Sequence, residues 1–521
     1  MEMKLNYKRT ICVGFAFFLI SAFWQGYDTT IPMILTNKFG MSQTWSGLIM
    51  ALDNILALFL LPLFGAISDR CRSPRGRRTP FILIGTLAAC VAFVGLSFVD
   101  NAQLSRISSI SAIDDPAALE TIYETEKDAR LLTPSGESFT LSSIYTEEEF
   151  SAIQSQSVEN GKTVTNPEYT NYVVPARQAC AWQDTAQSPQ TLVFFILLLL
   201  VVLVAMSTFR SPAVALMPDV TMKPLRSKAN AVINLMGSAG GILVLALGMV
   251  FATSAVRNSL MSYTGYFAVI AGIMLLALAA FMLTVREPQF VAEMHEDSRK
   301  FGIEEDAAQE APGGSRGLSK AEKMSLGFIL ASIVLWFFGY NAVTSKYSVY
   351  ASNILHKDYN FTLIIAQAAA ILSYLPVGIV ASKVGRRKTI LAGVVMLTAA
   401  FGSASFMGSE TPTVIMNCMF ALAGIAWATI NVNSFPMVVE LCSGGDVGRY
   451  TGFYYTASMA AQVATPIFSG FLMDKLGMRV LFPYAAVFTA LAFLTMSFVK
   501  HGDSKPIAKK GVEALEDMDS D

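Results

Sequence analysis

The stretch "LPLFGAISDRCRSPRGRRTPFILIG", Leu61 to Gly85, has a partner far along the chain in "LPVGIVASKVGRRKTILAG", Leu375 to Gly393. In both, an apolar run passes through a Leu-Pro step, breaks into a basic loop carrying Gly-Arg-Arg, and resumes as a second apolar run. A weaker pair links "MPDVTMKPLRSKANAVINLMGSAGG" from Met217 with "VVELCSGGDVGRYTGFYYTASMAAQ" from Val438. The chain therefore contains itself twice. Such repeats belong to membrane proteins in which two related bundles move against each other around a site at their interface.

Around these echoes, windows of about 20 apolar residues, the length that crosses a bilayer, recur near 10–35, 44–67, 79–99, 190–217, 228–253, 264–285, 324–345, 360–382, 389–409, 412–437, 449–473 and 478–499. The chain is 53% hydrophobic and 15% charged, with a mean hydropathy of +0.48, far from the balance of a soluble protein. The expected fold class is an all-α integral membrane protein: twelve transmembrane helices in two six-helix pseudo-repeat bundles, lying in the lipid bilayer.

Basic residues set its orientation. Lys4, Lys8 and Arg9 precede the first span, Arg70, Arg72, Arg75, Arg77 and Arg78 separate the second and third, and Lys383, Arg386, Arg387 and Lys388 separate the eighth and ninth. Gly408 to Thr413 has no basic residue, and Val256 to Gly265 has only Arg257. The positive-inside rule then makes both termini cytoplasmic, in a multi-pass protein of a plasma or bacterial inner membrane. The first span is too long and its flank too polar for a cleavable signal peptide, so it reads as a retained helix. The net charge of -1 hides a segregation of charge by side, and nothing resembles a nucleic-acid footprint. Of six scattered cysteines only Cys180 falls in an outer segment, so no disulfide framework is implied.

The expected divisions are an N-terminal bundle over 1–285, a cytoplasmic linker over 286–323 containing "EEDAAQEAPGGSRG", a C-terminal bundle over 324–499 and a cytoplasmic tail over 500–521. Between helices 3 and 4 lies an extracytoplasmic insertion, 101–189. Asp115 before Pro116 marks a helix start for "AALETIYETEKDARLL", "LLTPSGESFTL" alternates around a turn like a hairpin, and Thr146 with Glu149 forms a capping-box pattern. The insertion reads as a small folded cap, either a gating or docking element or a tolerated addition.

At "SDRCRSPRGRRTPFI", Ser68 to Ile82, the sequence resembles the loop between helices two and three of major facilitator superfamily transporters, in the form found in plant sucrose transporters, their animal and bacterial relatives and, more distantly, the glycoside-pentoside-hexuronide cation symporters. The resemblance continues through "RSPAVALMPDVTMKPLRSKANAVINLMG" from Arg210, "GYNAV" at Gly339 to Val343 and "GRYTGFYYTASMAAQ" at Gly448 to Gln462, and leaves out the insertion. It implies the major facilitator fold, monomeric action and cation-coupled carriage of sugars, especially disaccharides. The helix-four arginine of the plant carriers matches Val214, whereas this chain has Arg210 one turn away. The acidic pair of the melibiose-type symporters matches apolar Ala57 and Leu61. The sodium site of that branch is thus not reproduced, which favours a proton as the coupling ion, with no other cofactor and no metal.

Asp28 in "FWQGYDTTIP" and Asp53 in "MALDNILAL" fall at similar depths in the outer half of spans one and two, at 1.5 Å of rise per residue. A charge at that depth costs at least roughly 2.5 kcal/mol on insertion scales, and intramembrane acids are functional by default. Two carboxylates sharing one cavity can pass a proton across the carrier; against this, Asp28 could simply cap a kink at Pro32 or pair with a neighbouring helix. His295, His356 and His501 all fall in loops or tail, so carboxylates must do this work. Arg210 could clamp hydroxyls or a carboxylate, or snorkel to the surface. Asn234 lies at similar depth. Trp24, Gln25, Tyr27, Tyr340, Asn341, Asn431, Asn433 and Gln462 offer the mix of ring faces and hydroxyl-matching groups that sugars need, although each could equally pack or face lipid. Asp69, Arg75, Gly76, Arg77, Arg78, Asp219, Arg226, Gly385, Arg386, Arg387, Glu440 and Arg449 form the candidate gating loops, their charges pairing with helix ends in one state and parting in another.

The leading expectation is a proton-coupled, sugar-like symporter working by alternating access on a small-molecule substrate. The alternatives are a proton-coupled exporter and a non-transporting sensor. An enzyme is not expected, since the chain has no nucleotide-binding loop, no HExxH and no clustered metal ligands.

Overall fold

The computed structural model describes residues 5–159, 162–222, 225–301, 319–439, 441 and 447–501. In a bilayer every backbone N–H must find its partner within its own segment, so the apolar runs become long helices. The chain opens with α1 (Tyr7–Asn37), α2 (Gln43–Asp69) and α3 (Thr79–Arg106). The insertion follows: α4 (Ser108–Ser111), α5 (Pro116–Glu126), strands β1 (Leu131–Leu132) and β2 (Ser138–Phe139), α6 (Glu147–Ser151), strands β3 (Gln156–Glu159) and β4 (Lys162–Thr165), and α7 (Val174–Gln187). The first bundle is completed by α8 (Gln190–Asp219), α9 (Arg226–Val250) and α10 (Thr264–Thr284), and α11 (Glu287–Lys300) leads toward the second. That bundle comprises α12 (Lys320–Tyr350), α13 (Tyr359–Val384), α14 (Arg386–Ala404), α15 (Thr413–Val439), α16 (Val447–Leu476) and α17 (Leu481–Ser497). Among the described residues nine of these twelve long helices are each apolar enough to cross a membrane; α13, α14 and α16 are the exceptions.

Each bundle has its own apolar core. Phe93 stacks on Phe267 at 4.1 Å in the first, beside Phe23, and Trp336, Tyr350 and Phe482 anchor the second. The insertion has a third core, in which Leu119, Ile122, Phe150 and Tyr169 are wholly buried. Asp115 accepts from the Ala117 N–H at 3.2 Å to start α5, and the Thr146–Glu149 capping box starts α6. The first hairpin pairs Leu131 with Phe139, so α5 ends at Glu126 rather than running on through Leu132. The hairpin β3–β4 and helix α7 were not legible in the sequence. Helix α7 fixes the insertion to the first bundle through Arg106–Asp184 at 3.2 Å and Gln178 donating to Asn37 at 3.0 Å.

The insertion also reaches the second bundle. The Met478 N–H donates to the Pro134 carbonyl at 2.7 Å, Arg479 donates to the Ser135 hydroxyl at 3.1 Å, and Thr170 meets His356 at 3.0 Å. At the opposite end lie the first described residues, α11 and the last described residues: Arg9 pairs with Glu293 at 3.3 Å and Ser325 meets His501 at 3.0 Å.

The segment expected to be a linker begins as a docked helix. Glu287 of α11 is buried and accepts from the N–H groups of Arg77 (2.8 Å), Arg78 (3.0 Å) and Thr79 (2.8 Å) and from the Thr79 hydroxyl (2.8 Å). The N-cap residue of α3, Arg78, makes no side-chain capping bond of its own. Glu287 therefore supplies the carboxylate that the exposed N–H groups and positive end of α3 call for.

Candidate functional site

Helix α1 buries almost all of its circumference except one stripe. Ser21, Trp24, Gln25 and Asp28, spaced i, i+3, i+4, i+7, face a cavity between the bundles. Helix α9 presents Asn234, Gly237, Ser238 and Gly241 at the same spacing, and α8 adds Arg210 and Val214. The second bundle answers with Tyr340, Val343, Thr344 and Tyr347 of α12, Ala366, Gln367 and Ala370 of α13, and Phe420, Ala423, Gly424 and Trp427 of α15. The space forms two adjoining lobes of about 410 and 320 Å³ that share Gln25, Asp28, Ser238 and Gln367. From Asp28 the larger lobe runs along Phe17 and Val214, toward the end that carries the first and last described residues.

Two kinds of chemistry meet there. Asp28 is deep in the protein yet open to the cavity, and it interacts electrostatically with Asp53 and Arg210. Asp53 sits behind the wall, accepting from the N–H and side-chain amide of Asn54 at 2.6 and 2.8 Å. The Arg210 guanidinium lies over the Trp24 ring, 5.7 Å from its centroid. Across the cavity Tyr340 stacks flat on Trp427, centroids 3.6 Å apart and planes 3° from parallel. Gln367 donates to Gln25 at 3.5 Å, joining the walls. Among the described residues four polar groups on the lining have no hydrogen-bond partner: the Trp24 indole N–H, the Asn234 amide nitrogen, the Gln367 amide oxygen and the Ser348 hydroxyl.

Several residues read from sequence as substrate contacts are placed elsewhere. Tyr27 is fully enclosed among Phe23 and Trp24 in the core of the first bundle. Asn433 is buried, donates to the Thr429 carbonyl of its own helix at 2.9 Å and lies outside both lobes. Asn431 is buried one turn beyond Trp427, outside the lining. Asn341 and Gln462 also lie outside both lobes. The sequence reading passed over Gln367, Trp427, Ser238 and Thr344.

The candidate gating residues separate by end and by bundle. Arg78 is buried and binds Asp69 at 2.5 Å and Asp219 at 2.8 Å, while Arg77 binds Asp219 at 3.2 Å. This cluster ties the termini-side ends of α2, α3 and α8 together. Gly76 sits at φ +108°, where a side chain is strained and would strike Glu287, and Gly385 turns at φ +99° between α13 and α14. Arg75 is exposed. Arg226 donates to the carbonyls of Thr221 (3.2 Å) and Pro218 (3.0 Å), and Arg387 to that of Ser497 (2.6 Å), each satisfying a helix end. Arg386 is half-buried at the start of α14. Glu440 and the side chain of Arg449 lie outside the described residues.

At the insertion end the bundles are fastened to each other by residues that the sequence reading did not single out. Asp474 of α16 accepts from the N–H groups of Gln43 and Thr44 at 2.8 Å each, capping α2 from the other bundle. Buried Lys346 of α12 donates to the Gln43 carbonyl at 2.6 Å. Tyr359 and Asn360 of α13 bond Thr253 at 2.8 and 3.1 Å. The cavity is thus closed on this side.

Residues 31–354 match the sequence profile of the MFS_1 like family, and 355–516 that of the Major Facilitator Superfamily. Over 103 residues the chain is 27% identical to the sucrose transport protein SUT5 of Oryza sativa, covering 19% of each. Over 92 residues it is 37% identical to the human proton-associated sugar transporter A, covering 18% of this chain and 11% of the other. The match to the MFS-type transporter ppzB of Metarhizium rileyi is 25% identical over 147 residues, 28% of this chain and 30% of the other. The matched stretches thus span less than a third of these relatives' own length. Among solved structures, the inward-open xylose transporter XylE of E. coli superposes with a TM-score of 0.55 at 15% identity, covering 98% of each chain. A bacterial homologue of the iron transporter ferroportin gives 0.59 at 12%, covering 96% of this chain and 100% of the other. At these identities the superpositions establish the fold.

Proposed function

We propose, for a chain that belongs to the Major Facilitator Superfamily and is a multi-pass membrane transporter rather than an enzyme, that the cargo is a sugar and that a proton travels with it. The observation that carries this reading is the pairing of unlike walls around one cavity. One wall holds Asp28 and Arg210, with Asp53 behind; the other holds the Tyr340–Trp427 stack. Flat ring faces suit the apolar face of a sugar ring, and the unpartnered groups on Trp24, Asn234 and Gln367 suit its hydroxyls. The names of the sucrose transport protein and of the proton-associated sugar transporter A agree with this chemistry.

Two carboxylates and one guanidinium leave one negative charge uncompensated. A single proton on the Asp28–Asp53 pair makes the group neutral, which removes the cost of carrying a charge while the bundles rock. The conformation described is then inward-facing: closed at the insertion end, with the cavity running toward a cytoplasmic side that carries both termini. The protein works as a monomer in a plasma or inner membrane. In proteoliposomes, adding a disaccharide should acidify the lumen. Asp28→Asn and Asp53→Asn should lose that acidification and keep sugar counterflow. Sugar entry without proton movement in the unaltered protein would overturn the coupling, and binding without counterflow would overturn transport of that sugar.

A further inference from the structure

A second cavity of about 410 Å³ lies at the insertion end, where the first turn of α2, the insertion and the α16–α17 loop meet. That volume is within the roughly 300–1,000 Å³ of small-ligand sites. Trp45 of α2 and Trp182 of α7 line it and remain 54% and 41% exposed. Gln43, only 6% exposed, also lines it, and its side-chain carbonyl oxygen has no hydrogen-bond partner. An amide oxygen left so is costly unless a donor arrives. Asp474 contributes a carboxylate, but its charge is answered by the α2 N–H groups and by Lys346, which interacts with it electrostatically. Lys346 is wholly buried outside the lining, and the one acidic side chain on the wall is already matched, so the site favours a neutral ligand.

We infer that this junction is a second binding site, for a neutral polyhydroxylated ring, and that its occupancy holds the insertion end shut. Ring faces of Trp45 and Trp182 stack the ligand, and the Gln43 oxygen takes a hydroxyl. The walls come from both bundles and the insertion, so the site exists only while the seal is closed. A ligand that binds one state alone shifts the population toward it. The ring arrives either as free sugar or as the headgroup of a glycolipid.

The test uses the full chain in phosphatidylcholine nanodiscs with Trp24→Phe and Trp427→Phe, which leaves Trp45, Trp182 and buried Trp336 as emitters. Sucrose should produce a saturable fluorescence change that Gln43→Leu weakens about tenfold, the effect of one lost hydrogen bond. Gly47→Val, which puts methyl groups where α2 meets the Pro466 carbonyl, should abolish the change by holding the seal apart. A saturable change seen only with nanodiscs that contain galactolipid assigns the ring to a lipid headgroup. No saturable change with either probe overturns the site. Undiminished binding by Gly47→Val, or by Gln43→Leu, overturns the clamp or the assigned contact respectively.

Discussion

The two bundles share a skeleton and divide the chemistry. Leu61 to Gly85 and Leu375 to Gly393 build equivalent helix–loop–helix corners, each with a Pro inside the preceding helix and a glycine at positive φ in the loop. Around the cavity the likeness ends. The first bundle contributes Asp28 and Arg210, whereas among the described residues none of the second bundle that lines either lobe is charged. What the repeat conserves is the mechanics of two bodies that rock; what it does not copy is the site. Charge sits on one body and the flat ring stack on the other; under the proposed reading the proton is held by the first half and the sugar by both, so both must be bound before the halves move.

The largest effect should come from unbalancing the charged wall. Arg210→Ala leaves two carboxylates without their cation and should cost about 3–5 kcal/mol, the penalty for breaking a buried ion group. Thermal unfolding in detergent reads it, and adding Asp28→Asn should recover most of the loss; no recovery would mean that Arg210 serves something other than the carboxylates. Asp28→Asn alone should reduce sugar-driven proton entry to about 1% or less, in line with the roughly 100-fold or larger effects of removing a positioned proton-transfer group. If coupling survives there and fails in Asp53→Asn, the proton site lies behind the wall.

Glu287→Ala tests a fastener of the first bundle. It strips the α3 terminus of its carboxylate and should lower stability by about 1–3 kcal/mol, with a fall in melting temperature and unaltered sugar-to-proton stoichiometry. The smallest effect is expected on the neutral wall. Trp427→Ala removes the partner of Tyr340 and should weaken sugar affinity by about 0.5–1.5 kcal/mol, seen as a raised half-saturation constant with proton dependence intact. Loss of coupling in that variant would erase the division between walls.

Local signals carried much of this architecture. Asp115 with Pro116 and Thr146 with Glu149 act within a few residues, and their caps form where the spacing places them. The repeated loops and twelve apolar runs give the two-bundle fold, because a bilayer leaves helices as the available form for such runs. The site was only half legible. Asp28 and Arg210 stand out because charge is rare in such helices, but Gln367 and Trp427 lie on helices whose lipid and cavity faces are both apolar, so periodicity cannot separate them. Asn433 and Tyr27 misled for the converse reason. A polar side chain within a membrane helix can be satisfied by its own backbone or enclosed in the core as readily as it can face a cavity. Glu287, Lys346 and Asp474 act on residues remote in sequence, and no local pattern announces them.

The crossing of α2 and α16 at the insertion end is backbone laid on backbone. Gly47 meets the Pro466 carbonyl and Gly470 the Gln43 carbonyl, with no room for a methyl group at either. Re-forming a contact usually requires side chains to be sorted into one arrangement, at an entropic cost that rises with their length. At the two glycines there are none to sort; the side chains that must be ordered at this seam are those of Asp474 and Lys346 beside them. At the glycines closure is a matter of two rigid surfaces arriving flush, so a single carbon added at either one jams it.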